Sequence, residues 1–84
     1  MNNILMRQVA VGADYAPLAA VQTVFSGTIS CPPANAAVVY FKGDDGSDVP
    51  WVAGEWHEFK SVNLAEIQIK GTPGDTVTVV GGTW

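Results

Sequence analysis

Cysteine and histidine are nearly absent from this chain of 84 residues, which contains one of each, Cys31 and His57. A single cysteine excludes a disulfide within the chain, and this pair supplies too few ligands for a structural zinc site. The two braces that most often stabilise small domains are therefore missing. We predict neither a bound metal nor any other cofactor.

Charge is also scarce, since charged residues make up 14% of the chain and the net charge is −4. The four basic residues are scattered and form no stripe that could neutralise a phosphate backbone: Arg7, Lys42, Lys60 and Lys70. We therefore expect no nucleic-acid partner.

Long apolar runs are missing too. No segment approaches the roughly eighteen apolar residues that span a bilayer, and residues 1–7 lack the basic and apolar regions of a secretion signal. We expect no membrane partner and synthesis in a reducing cytoplasm.

Apolar residues are abundant, at 48% of the chain. A domain of this length buries only about 60 to 65% of the surface of its unfolded chain, so its core is thin. Because no disulfide or metal reinforces that core, we expect contacts between subunits to do so, and we predict a homo-oligomer.

The clearest strand pattern lies between residues 64 and 84. Ala65, Ile67 and Ile69 alternate with polar residues, and Val77 and Val79 repeat the pattern, which predicts two strands with one buried face each. The intervening segment, residues 71–75, contains Pro-Gly in the order of a type II turn. The pattern predicts a β-hairpin.

The remaining segments predict further short strands separated by turns. The polar hexamer 43–48 is a strong turn signal, Pro50 predicts an edge strand, and the apolar run 36–42 predicts a central strand covered on both sides. Other strands are expected near residues 4–11, 21–30, 49–52 and 56–61.

Together these segments predict an all-β fold, a small antiparallel β-sandwich of about seven short strands without a helix. Residues 1–20 are predicted to form an N-terminal arm or an edge strand, and residues 21–84 the β-sandwich domain.

Three acidic residues crowd into the turn, Asp44, Asp45 and Asp48. Their spacing does not match the twelve-residue calcium loop, so a solvated turn is the favoured interpretation. In a strand, His57 would share a face with Glu55, which permits an acid–base pair, but no nucleophile or second base accompanies them. We predict no catalytic residues, and we interpret Cys31 as a small, partly buried side chain at the end of a strand.

The tryptophans carry more information about function. Trp51, Trp56 and Trp84 are large for so small a domain and could anchor an interface, stack on sugar rings or cover the core. The apolar start of the chain could lie across a partner. The candidate interface residues are Ile4, Leu5, Met6, Trp51, Trp56 and Trp84.

The second half of the chain resembles small structural proteins of tailed bacteriophages. The resemblance is carried by Trp51, the turn 53–55, Phe59, and the segments 62–71 and 74–82, where an Asn-Leu strand start and a Gly-Asp-x-Val-x-Val strand occur. Such proteins often have proline where this chain has Ala53.

The resemblance implies a non-enzymatic virion component with a jelly-roll-like sandwich: a capsid decoration or cement protein, a head fibre or a small tail part. The expected partner is the major capsid protein or another virion protein, and the expected location is the virion after synthesis in the host cytoplasm. We expect an oligomer, with a trimer favoured. The alternative is a small carbohydrate- or receptor-binding module that uses Trp51, Trp56 and Tyr40 as a stacking platform.

Overall fold

A computed structural model describes residues 3–83 of the chain. It contains eight β-strands and one turn of 3₁₀ helix, Leu64–Glu66. The strands are β1 Ile4–Ala10, β2 Ala16–Pro17, β3 Val24–Ser30, β4 Val39–Lys42, β5 Val49–Trp51, β6 Trp56–Asn63, β7 Gln68–Lys70 and β8 Thr76–Gly82.

The strands form two antiparallel sheets of four strands each. The first sheet has the order β1-β8-β3-β6 and the second has the order β2-β7-β4-β5. Each strand of the first half pairs with its counterpart from the second half, β1 with β8, β2 with β7, β3 with β6 and β4 with β5. An antiparallel ribbon wrapped into two sheets in this order is a jelly roll. The predicted all-β sandwich is confirmed.

The core lies between the two sheets and is built from alternate residues of the strands. In the first sheet, Phe25 and Ile29 of β3 and Val77 and Val79 of β8 are buried. The other buried apolar residues are Leu5, Val11, Leu18, Ala19, Cys31, Val39, Phe41, Trp51, Leu64 and Ile69. The period-two pattern therefore assigns the buried face of these strands correctly.

The beginning of the chain is packed into this sandwich. β1 pairs with β8 in an unbroken register from Ile4↔Gly82 to Ala10↔Thr76. Val11, Leu18 and Ala19 lie in the core. The described part of segment 1–20 thus contains an edge strand and shares its core with residues 21–83.

The predicted hairpin between residues 64 and 84 is wrong. β7 and β8 belong to different sheets, so the loop 71–75 crosses from one sheet to the other. Thr76, the first residue of β8, is hydrogen-bonded to the Asn35 side chain and not to β7. The Asn35 side-chain oxygen accepts from the Thr76 N–H at 3.0 Å, and the Asn35 side-chain amide donates to the Thr76 carbonyl at 2.8 Å. Alternation identifies strands, but it does not say whether successive strands pair.

The expectation of a chain without a helix needs a small correction at the start of the same segment. Leu64–Glu66 forms a turn of 3₁₀ helix, and the Asn63 side chain accepts from the Ala65 N–H at 3.1 Å. The same oxygen accepts from the Thr23 N–H at 3.0 Å. Asn63 with Glu66 three residues later is a signature of a helix N-terminus, and capping here replaces the expected strand start.

The segment from β4 to β5 agrees with most of its sequence pattern. The two strands pair as a hairpin across the polar turn, and Pro50 lies on an edge strand. β4 lies between β7 and β5, but Tyr40 on this strand is 38% exposed. Only one face of β4 is therefore covered. The expected burial on both sides is wrong because this sandwich has two layers.

Candidate interaction surface

The side of the first sheet that faces away from the core is a candidate interaction surface, which we call the outer face. The strand registers place its positions in cross-strand rows, because side chains of paired residues lie on the same side of a sheet. One row is Met6, Val80, Thr28 and Glu58, and the next is Gln8, Thr78, Ser30 and Trp56.

One end of the outer face is apolar. Met6 pairs with Val80 across β1 and β8, and Ile4 lies two residues before Met6 on the same side. The exposed fractions are 77% for Ile4, 70% for Met6 and 45% for Val80. We call these three residues the apolar strip. Adjacent apolar side chains left in water at one sheet edge indicate a surface that a partner can cover.

The rest of the outer face carries hydroxyl groups and one aromatic ring. Thr78, Thr28 and Ser30 occupy its middle, and Trp56, 59% exposed, lies at the far edge on β6. Glu58 is the one carboxylate in the two rows. Low charge and an exposed tryptophan are features that protein interfaces favour.

The candidate interface residues divide into three groups. Ile4, Met6 and Trp56 lie on the outer face. Leu5 and Trp51 are each 5% exposed and belong to the core, so they are not available to a partner. The sixth candidate, Trp84, lies outside the described residues.

Trp51 is buried because it closes the core at the end of β5. Its ring stacks on Phe41 with the centroids 3.7 Å apart and lies parallel to Phe59 at 6.3 Å. The edge of His57 meets the same ring at 4.7 Å. Of the three roles considered for this tryptophan, interface anchor, sugar stacking or core cover, the structure shows the core cover.

The predicted stacking platform of Trp51, Trp56 and Tyr40 is therefore not formed. Trp51 is buried, Trp56 lies on the first sheet, and Tyr40 lies on β4 of the second sheet. Trp51 and Tyr40 lie on opposite sides of the second sheet, and Trp56 lies on the first sheet, so the three rings cannot face one sugar chain together. Trp56 alone is left as an exposed ring on the outer face.

The possible acid–base pair does exist as a contact. The Nε2 atom of His57 lies 2.7 Å from a Glu55 carboxylate oxygen, and the other oxygen accepts from the Val52 N–H at 3.0 Å. The hydrogen bond from His57, followed by that from Val52, lowers the pKa of Glu55. The pair ties the turn before β6 to the edge of the core.

Cys31 lies close to this turn but is buried. Its N–H donates to the Glu55 carbonyl at 2.8 Å, and the residue is 1% exposed. Burial, with smaller effects of the Glu55 and Asp75 charges, raises the pKa of the thiol to about 11. A buried, protonated thiol is a packing group in this state.

The acidic turn spreads its carboxylates apart. Asp45 accepts from the Ser47 N–H at 2.9 Å, while Asp48 accepts a hydrogen bond from the Tyr15 hydroxyl group. Among residues 3–83, no group of three or more acidic, histidine or cysteine side chains is placed to hold a metal ion. The turn is exposed, as the solvated interpretation expects.

Sequence reasoning did not find the cluster around Tyr15. The Lys42 ammonium group lies 4.1 Å from the centre of the Tyr15 ring and the Lys70 ammonium group 4.9 Å from it. Partial burial of the hydroxyl group and its bond to Asp48 raise the pKa of Tyr15 to about 12. No local sequence pattern predicts this cluster, because its residues come from separate strands and loops.

Comparisons of the chain with models of protein families, with curated proteins and with solved structures find no match. Within residues 3–83, every helix is too short or too polar to cross a membrane.

Proposed function

We propose that this chain is a non-enzymatic structural protein of a tailed-bacteriophage virion, and that it decorates or cements the capsid shell as an oligomer. Its partner would be the major capsid protein or another virion protein, so its working location would be the virion. The observation that supports this proposal best is the outer face, with the apolar strip at one end and Trp56 at the other.

The fold is compatible with this role. Jelly rolls occur in viral capsid proteins and in lectins, although a fold by itself does not define a function. The two sheets supply a rigid support, so a flat outer face can bind a shell without ordering a flexible segment. That rigidity lowers the entropic cost of binding.

Co-sedimentation with capsid shells of the phage that encodes the chain tests the proposal. The wild-type protein is expected to pellet with the shells. Met6→Lys introduces a charge into the apolar strip and should weaken binding by about tenfold or more, because desolvated apolar anchors dominate interface energies. Gln68→Lys, on the exposed side of the second sheet, is the matched control and should bind normally.

A wild-type protein that stays in the supernatant, or two variants that bind equally well, would contradict the proposal. Circular dichroism of both variants shows whether the sandwich is intact.

Trp56 supports the alternative, a small carbohydrate- or receptor-binding module. The ring is 59% exposed beside Ser30 and could stack on one sugar ring while neighbouring hydroxyl groups donate hydrogen bonds. Fluorescence titration with oligosaccharides separates the two functions. Saturable quenching that is lost in Trp56→Ala favours the module, and a flat titration together with shell binding favours the decoration protein.

A further inference from the structure

We propose that the free edge of β1 pairs with the β1 edge of a second copy of this chain, joining two first sheets into one continuous sheet across a two-fold axis. This inference deepens the oligomer of the proposed function. Its test uses purified protein alone, so it can fail or succeed independently of binding to a shell.

Three of the four sheet edges carry features that prevent pairing. β2 has two residues, one of them Pro17, and β5 has three residues with Pro50 in the middle. Short strands and prolines are devices by which proteins protect exposed edges.

The edge strand β6 is protected in a different way. Its pairing with β3 shifts register between Phe25 and Gly27. On β6, across from this shift, Ser61 has a φ of 52°. The Ser61 N–H donates to the Ser26 hydroxyl group at 2.8 Å. The strand also places Glu58 and Lys60 along its edge. Bulges and charges both discourage pairing between edges.

β1 is neither short nor interrupted by a proline or a bulge. It is seven residues long, contains neither proline nor glycine, and keeps one register with β8 over its whole length. Arg7 is its one charged residue. It also presents Ile4 and Met6, which are 77% and 70% exposed. A long, regular and apolar edge is a template for another strand.

The hydrogen bonds at the ends of β1 show which backbone groups point outward. The Thr83 N–H donates to the Asn3 carbonyl at 3.0 Å, and the Val11 N–H donates to the Asp75 carbonyl at 3.0 Å. In an antiparallel ladder, alternate residues direct both backbone groups to the same neighbour. The odd-numbered residues therefore face β8, and the groups of Ile4, Met6, Gln8 and Ala10 face the free edge.

This pattern restricts how two copies can pair. In one possible register, which we call the Met6 register, the two-fold axis passes beside Met6. Met6 then pairs with Met6 of the second copy, and Ile4 pairs with Gln8 of the second copy. The outward N–H and C=O groups of these residues are all hydrogen-bonded in this register. An axis at Arg7 also satisfies the ladder, but it sets two guanidinium groups opposite each other, which is unfavourable. The Met6 register also brings the two apolar strips together across the axis.

The second copy is the favoured occupant because the strand is its own complement. An isologous contact needs one surface that matches itself. In the Met6 register, β1 pairs its outward backbone groups with those of its copy and sets no like charges directly opposite each other. The merged outer face then offers a shell one apolar patch at its centre. The expected unit is a dimer rather than the trimer favoured by the sequence.

The first measurement is the solution mass over a range of protein concentrations. A mass that approaches twice 8.8 kDa is expected as the concentration rises. Met6→Pro removes an outward N–H that β8 does not use, so it should raise the dissociation constant by at least tenfold while the fold remains. Met6→Leu keeps that N–H and should dimerise like the wild type. A strict monomer or a trimer would overturn the proposal.

Oxidative crosslinking tests the register. Paired residues that exchange hydrogen bonds lie about 5.5 Å apart between Cα atoms, within the range of a disulfide. Met6→Cys should therefore form a crosslinked dimer. Gln8→Cys should not, because in this register Gln8 faces Ile4 of the second copy. The native Cys31 is 1% exposed and does not interfere. Crosslinking through the position of Gln8 but not Met6 would refute the Met6 register.

Discussion

Gly27 lies directly opposite Gly81 in the ladder between β3 and β8, and the ring of Phe25 covers both. A Cβ atom on Gly81 would lie 2.7 Å from the Gly27 Cα and 2.7 Å from the edge of the Phe25 ring. The two glycines thus allow a fully buried aromatic ring to lie flat against the inner side of the first sheet. β8, which carries Val80 of the apolar strip, depends on this packing.

Gly81→Ala should therefore destabilise the sandwich strongly. The added methyl group meets backbone as well as the ring, so relief requires a shift of two strands, and a loss of about 3 kcal/mol in the free energy of unfolding is expected. Thermal or urea unfolding measures the loss. Gly43→Ala is the matched control, since nothing lies within 4 Å of its Cβ position. Equal stability of the two variants would show that the first sheet adapts freely.

A second prediction concerns the loop that crosses between the sheets. The Asp75 side chain is 6% exposed, and its oxygens accept from the Ala36 N–H at 2.9 Å and the Ala37 N–H at 3.1 Å. Asp75→Ala leaves these donors unpaired and should cost about 1 to 3 kcal/mol in unfolding free energy. Chemical unfolding gives the value. Asp44→Ala removes an exposed carboxylate and is expected to change stability by less than about 0.5 kcal/mol.

The loop 71–75 also shows which parts of the fold can be predicted from the sequence. The positions of most strands and the buried faces of β3 and β8 follow from local alternation, and the hairpin of β4 and β5 follows from the turn between them. The strands that pair with β8 cannot be predicted in this way, because β1 and β3 lie far from it in the chain. The hydrogen bonds of Asn35 with Thr76, which are 41 residues apart, leave no local pattern either. A loop with turn residues is compatible with a hairpin and with a crossing alike.

The candidate surface is harder to predict from the sequence. Ile4 and Met6 lie on β1 with Leu5, and the apolar residues on both faces of this strand do not show which side is buried. Trp51 ends a strand of three residues, which is too short for a period to define its face, so its burial depends on Phe41 and Phe59 from other strands. The helix cap at Asn63 could have been predicted from the sequence, because Glu66 follows it by three residues.

The buried thiol gives a third prediction. With the pKa of Cys31 raised to about 11 by burial, the thiolate fraction near pH 8 is roughly a hundredfold lower than at the ordinary value. Ellman's reagent should therefore react slowly with the native protein and stoichiometrically after denaturation. Ser47→Cys adds an exposed thiol as a positive control. Rapid reaction of the native wild-type protein would mean that the end of β3 opens readily.

The pair of Glu55 and His57 predicts how stability changes with acid. Because hydrogen bonds from His57 and Val52 lower the pKa of Glu55, the folded state favours the carboxylate more than the unfolded state does. The stabilisation that the ionised Glu55 carboxylate gives the folded state is fully present above the ordinary glutamate pKa of about 4.3. It is lost as the pH falls through the lower pKa that Glu55 has in the folded state. Glu55→Gln should therefore be less stable than the wild type near neutrality, and the gap between their melting temperatures should close in acid. Glu58→Gln, at an exposed position on the same strand as His57, is the matched control for the removal of a carboxylate from this part of the fold. A gap for Glu55→Gln that is independent of pH would instead assign its effect to packing of the turn.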